Sequence, residues 1–376
     1  MIAPRVGLAW DLRGNGRSKL FANFGRYYES IPLSLNTRAW GSDRSALYVF
    51  SYPASGSLPT AHDPGTLLWS FSSRSGIPVA SGIEPPYVDE LLLGYQFGVG
   101  RRTVVGAHYV SRSIGDVLEN LSFDGASLLL GNPGGAIPTE QGTGPGSAGA
   151  ARFPTPVRNY RALQLSFERR LHAGWQLGGS YVYSRSEGNY VGLYRAESYR
   201  QEPHLTNAFD LADLTDLARG PLPNDRPHQL KLYGAYDWDF GLRAGFFAQH
   251  LDGTPVSKLG AHPRYGPGAR YVVPRGTAGR TPDLTTLDLH LEAPIRVGAG
   301  KELVLFLDVF NATDEQVAIV VDENWSYAFG SSDGVAECGG PGTGPGTSCP
   351  DGNPAWGAPL RFHQPRAMRL GARWSW

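Results

Sequence analysis

The sequence predicts an all-β chain: an antiparallel transmembrane β-barrel segment of about 11 strands, with long extracellular loops and short periplasmic turns. Three observations lead there. Apolar residues recur at every second position along many segments, the connections alternate between short and long, and the chain ends in aromatic residues.

The alternation is clearest at the end of the chain. Met368, Leu370, Ala372, Trp374 and Trp376 fall on one face, against Arg369, Gly371, Arg373 and Ser375 on the other. Val6, Leu8, Trp10 and Leu12 alternate with Arg5, Gly7, Ala9 and Asp11 in the same way. So do Leu91–Phe97, Leu163–Phe167, Trp175–Tyr183, Leu230–Trp238 and Leu287–Leu291. Segments near 17–28, 102–112, 241–252 and 302–312 read as strands with less regular faces. Runs of roughly 9–12 residues exceed the usual soluble strand and match a tilted transmembrane one.

Connection lengths discriminate further. Short links at 13–16, 99–101, 172–174, 239–240 and 296–300 alternate with long ones near 29–86, 113–158, 187–226, 253–282 and 313–363. Barrels of the outer membrane place tight turns at one rim and long loops at the other. An odd strand count beginning outside implies the second part of a larger barrel, for example strands 12–22 of about 22. The chain is thus expected to be a fragment, since free sheet edges in lipid leave backbone groups unsatisfied.

Composition agrees. Lys+Arg and Asp+Glu are both 34, so no basic excess exists for a nucleic-acid surface. Charged residues make up 18% of the 376, below the roughly 25% of soluble domains. With 49 Gly, 29 Pro and 11% aromatics, the chain suits strands joined by turns and irregular loops. No apolar run reaches the roughly 18 residues of a transmembrane helix, and the best, Leu303–Leu307, is broken by Asp308. The mean hydropathy of −0.27 does not argue against a barrel, in which only alternate residues meet lipid. The opening Met1-Ile2-Ala3-Pro4-Arg5 carries no signal peptide, which implies either a soluble cytoplasmic chain or further sequence upstream.

The six ordered segments PRVGLAWDLRGNGRSKLFANFGRYYE (4–29), PPYVDELLLGYQFGVGRRTVVGAHYVSR (85–112), RNYRALQLSFERRLHAGWQLGGSYVYSRSEGNY (158–190), DRPHQLKLYGAYDWDFGLRAGFFAQHLDGTPV (225–256), LTTLDLHLEAPIRVGAGKELVLFLDVFNATDEQ (284–316) and QPRAMRLGARWSW (364–376) carry a family likeness. They resemble the barrel of TonB-dependent receptors of the Oar-like group, whose N-terminus bears a carboxypeptidase-regulatory-like domain. The resemblance implies a receptor in the outer membrane of a Gram-negative bacterium that takes up a large substrate. Its partners would be outer-membrane lipid, the barrel-assembly machinery, a plug domain and TonB. Signal peptide, TonB box and plug are not found in these residues.

Candidate sites follow. Trp374 and Trp376 fit the aromatic ending read by the assembly machinery, or an interfacial girdle. Glu168, Asp288, His290, Glu292, Arg369 and Arg373 fall on the polar face, and are expected as a solvated or plug-facing wall of cross-strand ion pairs. Asp237 and Asp239 read as turn residues. Trp40, Tyr48, Phe50, Tyr52, Trp69 and Phe71 make the first long loop the better candidate for ligand capture. Cys338 and Cys349 are expected to form a disulfide in the last long loop. No metal site, cofactor or catalytic motif is expected; Gly14-Asn15-Gly16 is a hairpin turn and not a phosphate loop. Two alternatives remain at this point: a soluble extracellular β-sheet module binding glycans, and a passive surface or adhesion barrel.

Overall fold

The computed structural model describes residues 2–31, 33, 39, 77–122, 128–134, 153–192, 208–262, 265–298, 300–326 and 353–376, and the backbone alone of 44–51, 66–74, 194–195 and 200–201. Eleven long strands form one antiparallel sheet in strict chain order. They are β1 (Arg5–Trp10), β2 (Ser18–Tyr28), β3 (Tyr87–Val99), β4 (Thr103–Gly115), β5 (Arg158–His172) and β6 (Trp175–Gly188). Then come β7 (His228–Asp237), β8 (Arg243–Leu251), β9 (Leu284–Arg296), β10 (Glu302–Phe310) and β11 (Ala367–Ser375). The less regular segments are therefore full strands. Within this sheet β1 pairs only β2 and β11 only β10, so the sheet is an open arc.

A meander sends alternate connections to opposite rims. The turns after β1, β3, β5, β7 and β9 are short, and the connections after β2, β4, β6, β8 and β10 are long, so all long loops leave one rim. The turn after β1 shows the local cause: Asp11 Oδ2 accepts the Gly16 N–H at 2.6 Å, and Gly14 and Gly16 take φ of 62° and 70°. The Gly16 N–H foremost, with the Arg13 N–H donating to Asp11 Oδ1 at 3.2 Å, holds the Asp11 carboxyl below its ordinary range.

Register gives the tilt. The row Trp10, Leu20, Tyr95, Ala107, Leu165, Tyr181, Leu230, His250, Thr285 begins at the short-turn end of β1 and finishes at the long-loop end of β8 and β9. A row that climbs the full sheet within nine strands is the stagger of a tilted barrel wall.

The two faces differ in chemistry. Leu93, Leu165, Leu291 and Leu305 share the outer face and keep 41–45% of their surface open. Among the described residues no second sheet covers them.

Candidate functional site

The polar face of the arc carries a chain of ion pairs across β7 to β11. Asp237 meets Arg243 at 3.5 Å, and Arg243 meets Glu292 at 3.4 Å. Glu292 also takes Arg373 at 3.1 Å and faces His290 Nε2 at 3.4 Å. His290 Nδ1 lies 2.6 Å from Asp308, which Arg369 reaches at 2.7 Å. Strand register makes these partners neighbours: Arg243 stands opposite Glu292, and His290, Asp308 and Arg369 occupy one row. Four of the six polar-face residues singled out above thus join one network. Glu168 stands on the same face outside it, and Asp288 instead accepts the Asn311 N–H at 2.7 Å, closing the start of the last long connection. Asp237 belongs to the network as well, which turn chemistry alone did not foretell.

On the opposite face, aromatic rings gather near the short turns. Trp175 stands opposite Tyr236, whose ring lies 4.8 Å from Trp238 in edge contact. Trp10 at 57%, Trp374 at 43% and Trp376 at 88% exposure lie at this rim too, an aromatic girdle flanking an apolar band.

At the other rim the long connections are tied together. Asn132 accepts the Glu84 N–H at 2.7 Å and donates to Glu84 and Val117 carbonyls at 2.9 and 3.0 Å, joining the first and second. Ser122 N–H donates to the Asp210 carbonyl at 2.7 Å, and Val117, Leu121, Phe153, Tyr190 and Phe209 pack as one cluster between the second and third. Arg280 binds Asp225 at 2.5 Å, joining the third and fourth. Ser257 N–H donates to Glu323 at 2.9 Å, joining the fourth and fifth. The result is a connected cap.

Buried within it is Glu119. Burial, and then the charge of Asp210, push its carboxyl well above the ordinary range, and burial does the same to the Tyr190 hydroxyl. Sequence reasoning missed this cap, although Val117-Leu118 and Leu128-Leu129-Leu130 are apolar runs that the wall does not use.

Of the proposed ligand-loop residues, Tyr48 and Trp69 fall on a paired ribbon, Arg44–Ser51 with Thr66–Arg74, at registers opposite Ser70 and Val49. Trp40, Tyr52, Cys338 and Cys349 lie outside the described residues.

An arc of staggered strands with an apolar outside, a charged inside, an aromatic girdle and a one-sided loop cap is the wall of a transmembrane β-barrel. Residues 1–258 match the outer membrane beta barrel domain family, and the chain belongs to it. Its place is accordingly the bacterial outer membrane. The chain is 33% identical, over 356 aligned residues, to the TonB-dependent transporter Oar of Myxococcus xanthus, with 86% of this chain and 32% of that protein covered. It therefore spans about a third of the length of that curated relative. The outer membrane transporter YddB of Escherichia coli shares the fold at a TM-score of 0.50 and 16% identity, over 85% of this chain and 38% of YddB. The Escherichia coli ferric-catecholate import receptor Fiu aligns at a TM-score of 0.48 and 14% identity, over 98% of this chain and 34% of Fiu.

Proposed function

We propose that this chain forms the C-terminal part of the barrel of a TonB-dependent receptor that takes up a large substrate. In this reading the long loops face the outside and the short turns the periplasm. The observation that carries it is the one-sided loop cap on an arc with one apolar and one ion-paired face, an arrangement suited to a wall that lines a passage. Likeness to the Oar transporter supports the assignment.

The inner ion-pair chain would face a plug domain, and TonB would supply the energy through that plug. Outer-membrane lipid covers the apolar face. Trp374 and Trp376 serve as the ending recognised by the barrel-assembly machinery, Cys338 and Cys349 pin the last loop by a disulfide, and the aromatics Trp40, Tyr48, Tyr52 and Trp69 contact ligand. The residues act by binding and lining, and catalysis has no part in the reading.

Outer-membrane fractionation combined with gel mobility of heated and unheated samples tests this. The expected result is co-sedimentation with outer membranes and slower migration after heating. A chain that is native, monodisperse and soluble without detergent would contradict it.

A further inference from the structure

At the long-loop rim of β8 and β9, on the outer face, three side chains converge that take no part in the inner ion-pair chain. His250 and Asp252 stand two residues apart at the end of β8, so both leave the same face. Leu251 pairs with Leu284 and His250 with Thr285, which brings Asp283, just before β9, beside Asp252. One ligand atom from each of His250, Asp252 and Asp283 lies within 4.8 Å of the others.

His250 Nε2 is 3.9 Å from Asp252 Oδ1, too far for a hydrogen bond. It is close to the spacing of two donors on one ion, since ligands about 2.1 Å from a tetrahedral centre sit roughly 3.4 Å apart.

The imidazole is also aimed. Its Nδ1 lies 2.8 Å from Thr285 Oγ1. With Nδ1–H donating there, Nε2 keeps its lone pair on the side of the aspartates, which is how metal-bound histidines are held by an outer partner. Each aspartate spends one oxygen on backbone: Asp252 Oδ2 accepts the His228 N–H at 3.0 Å, and Asp283 Oδ1 accepts the Gly253 N–H at 2.9 Å. The second oxygen of each is left for an ion.

Charge points the same way. Two carboxylates side by side across neighbouring strands repel. Arg226 interacts with both, yet its guanidinium donates to the Asp252 backbone carbonyl, and Arg280 is committed to Asp225. Two carboxylates against one nearby guanidinium leave one negative charge in excess.

We propose that His250, Asp252 and Asp283 form a binding site for a single divalent transition-metal ion of the zinc class, oriented by Thr285. One imidazole with two carboxylates suits such an ion better than the all-oxygen sets of calcium or magnesium. Three protein ligands leave a coordination position open on the exposed side of Asp283.

The test uses protein purified from outer membranes in detergent and stripped with EDTA, then dialysed against Zn2+, with Co2+ as a spectroscopic probe. The wild type is expected to bind one equivalent more than the H250Q/D283N double variant, and H250Q to change the Co2+ absorption bands. T285V, which retains all three ligands, is expected to weaken Zn2+ binding about 10–100-fold. Heat-modifiable gel mobility confirms folding of each variant, and T285V carries the test if the double variant does not assemble. Equal Zn2+ stoichiometry in the folded double variant, unchanged Co2+ bands in H250Q, or unweakened binding in T285V would overturn the proposal.

Discussion

The wall and the cap bury their apolar residues by opposite rules. In the wall, Leu165 and Leu291 keep 45% and 41% of their surface open, while the facing side of the sheet carries the ion pairs from Asp237 to Arg369. In the cap, Leu121 and Leu259 keep none and Phe209 and Leu214 only 1%. One chain is thus written for two solvents. The wall exposes hydrocarbon because lipid covers it, and its backbone groups are satisfied strand to strand. The cap stands in water and must hide its hydrocarbon, like an ordinary small core.

Substitutions that exchange the two rules separate the regions. The largest effect is expected in the cap, where Phe209→Ala removes a buried ring in contact with Tyr190 and should cost about 3–5 kcal/mol locally. Amide exchange should quicken around residues 117–131 and 208–218 while β5–β9 remain protected. Equal quickening in the wall would show that the two are one cooperative unit.

Next comes the wall. Leu165→Arg places a charge on the lipid face and is expected to cost about 2–4 kcal/mol in urea unfolding from vesicles. Gln164→Arg, one residue away on the inner face, should cost under about 1 kcal/mol. Similar losses for both would erase the distinction between faces.

The third effect is on pH. Glu119 has a folded pKa above its unfolded one, so the folded cap binds the extra proton. Its stabilisation is fully present below the ordinary glutamate range and is lost as pH rises through the raised value. Glu119→Gln should flatten that dependence in amide exchange of the cap. Asp11, held low at the other rim, should act in reverse, stabilising its turn above the ordinary aspartate range and losing that as pH falls through the lowered value. A cap that tightens as pH rises would contradict the Glu119 account.

The smallest change is at a turn. Ala173 and Gly174 both have positive φ, 52° and 82°, the geometry of a type I′ hairpin. Alanine is strained there, and Ala173→Asn should raise stability by up to about 1 kcal/mol in the same urea assay. Loss of stability would mean that the alanine methyl group makes a contact that outweighs the strain.

Much of the wall was legible because strand period and lipid impose one rule on every second residue. Val6, Leu8 and Trp10 announce their face in six residues, and the short links announce the rims. The polar face was legible as a set in His290, Glu292, Arg369 and Arg373, which alternate with apolar neighbours, whereas Asp308 read only as a break in an apolar run. Their pairing was not legible, because register depends on turn geometry between segments. The cap stayed hidden for a different reason. Its core joins Val117, Phe153, Tyr190 and Phe209 across two long connections, and no local period links residues brought together from so far apart. The His250, Asp252 and Asp283 cluster is of the same kind, with two members close in sequence and the third brought beside them by the pairing of β8 with β9.

The most direct measurement of the central claim is an environment scan along β5. Single cysteines at positions 162–168, in a chain with Cys338 and Cys349 replaced by serine, are labelled with an environment-sensitive dye in vesicles and exposed to a lipid-borne quencher. Quenching should be strong at 163, 165 and 167 and weak at 162, 164, 166 and 168. Uniform quenching, or quenching of the even positions, would contradict a wall that turns its apolar face to lipid and its charged face inward.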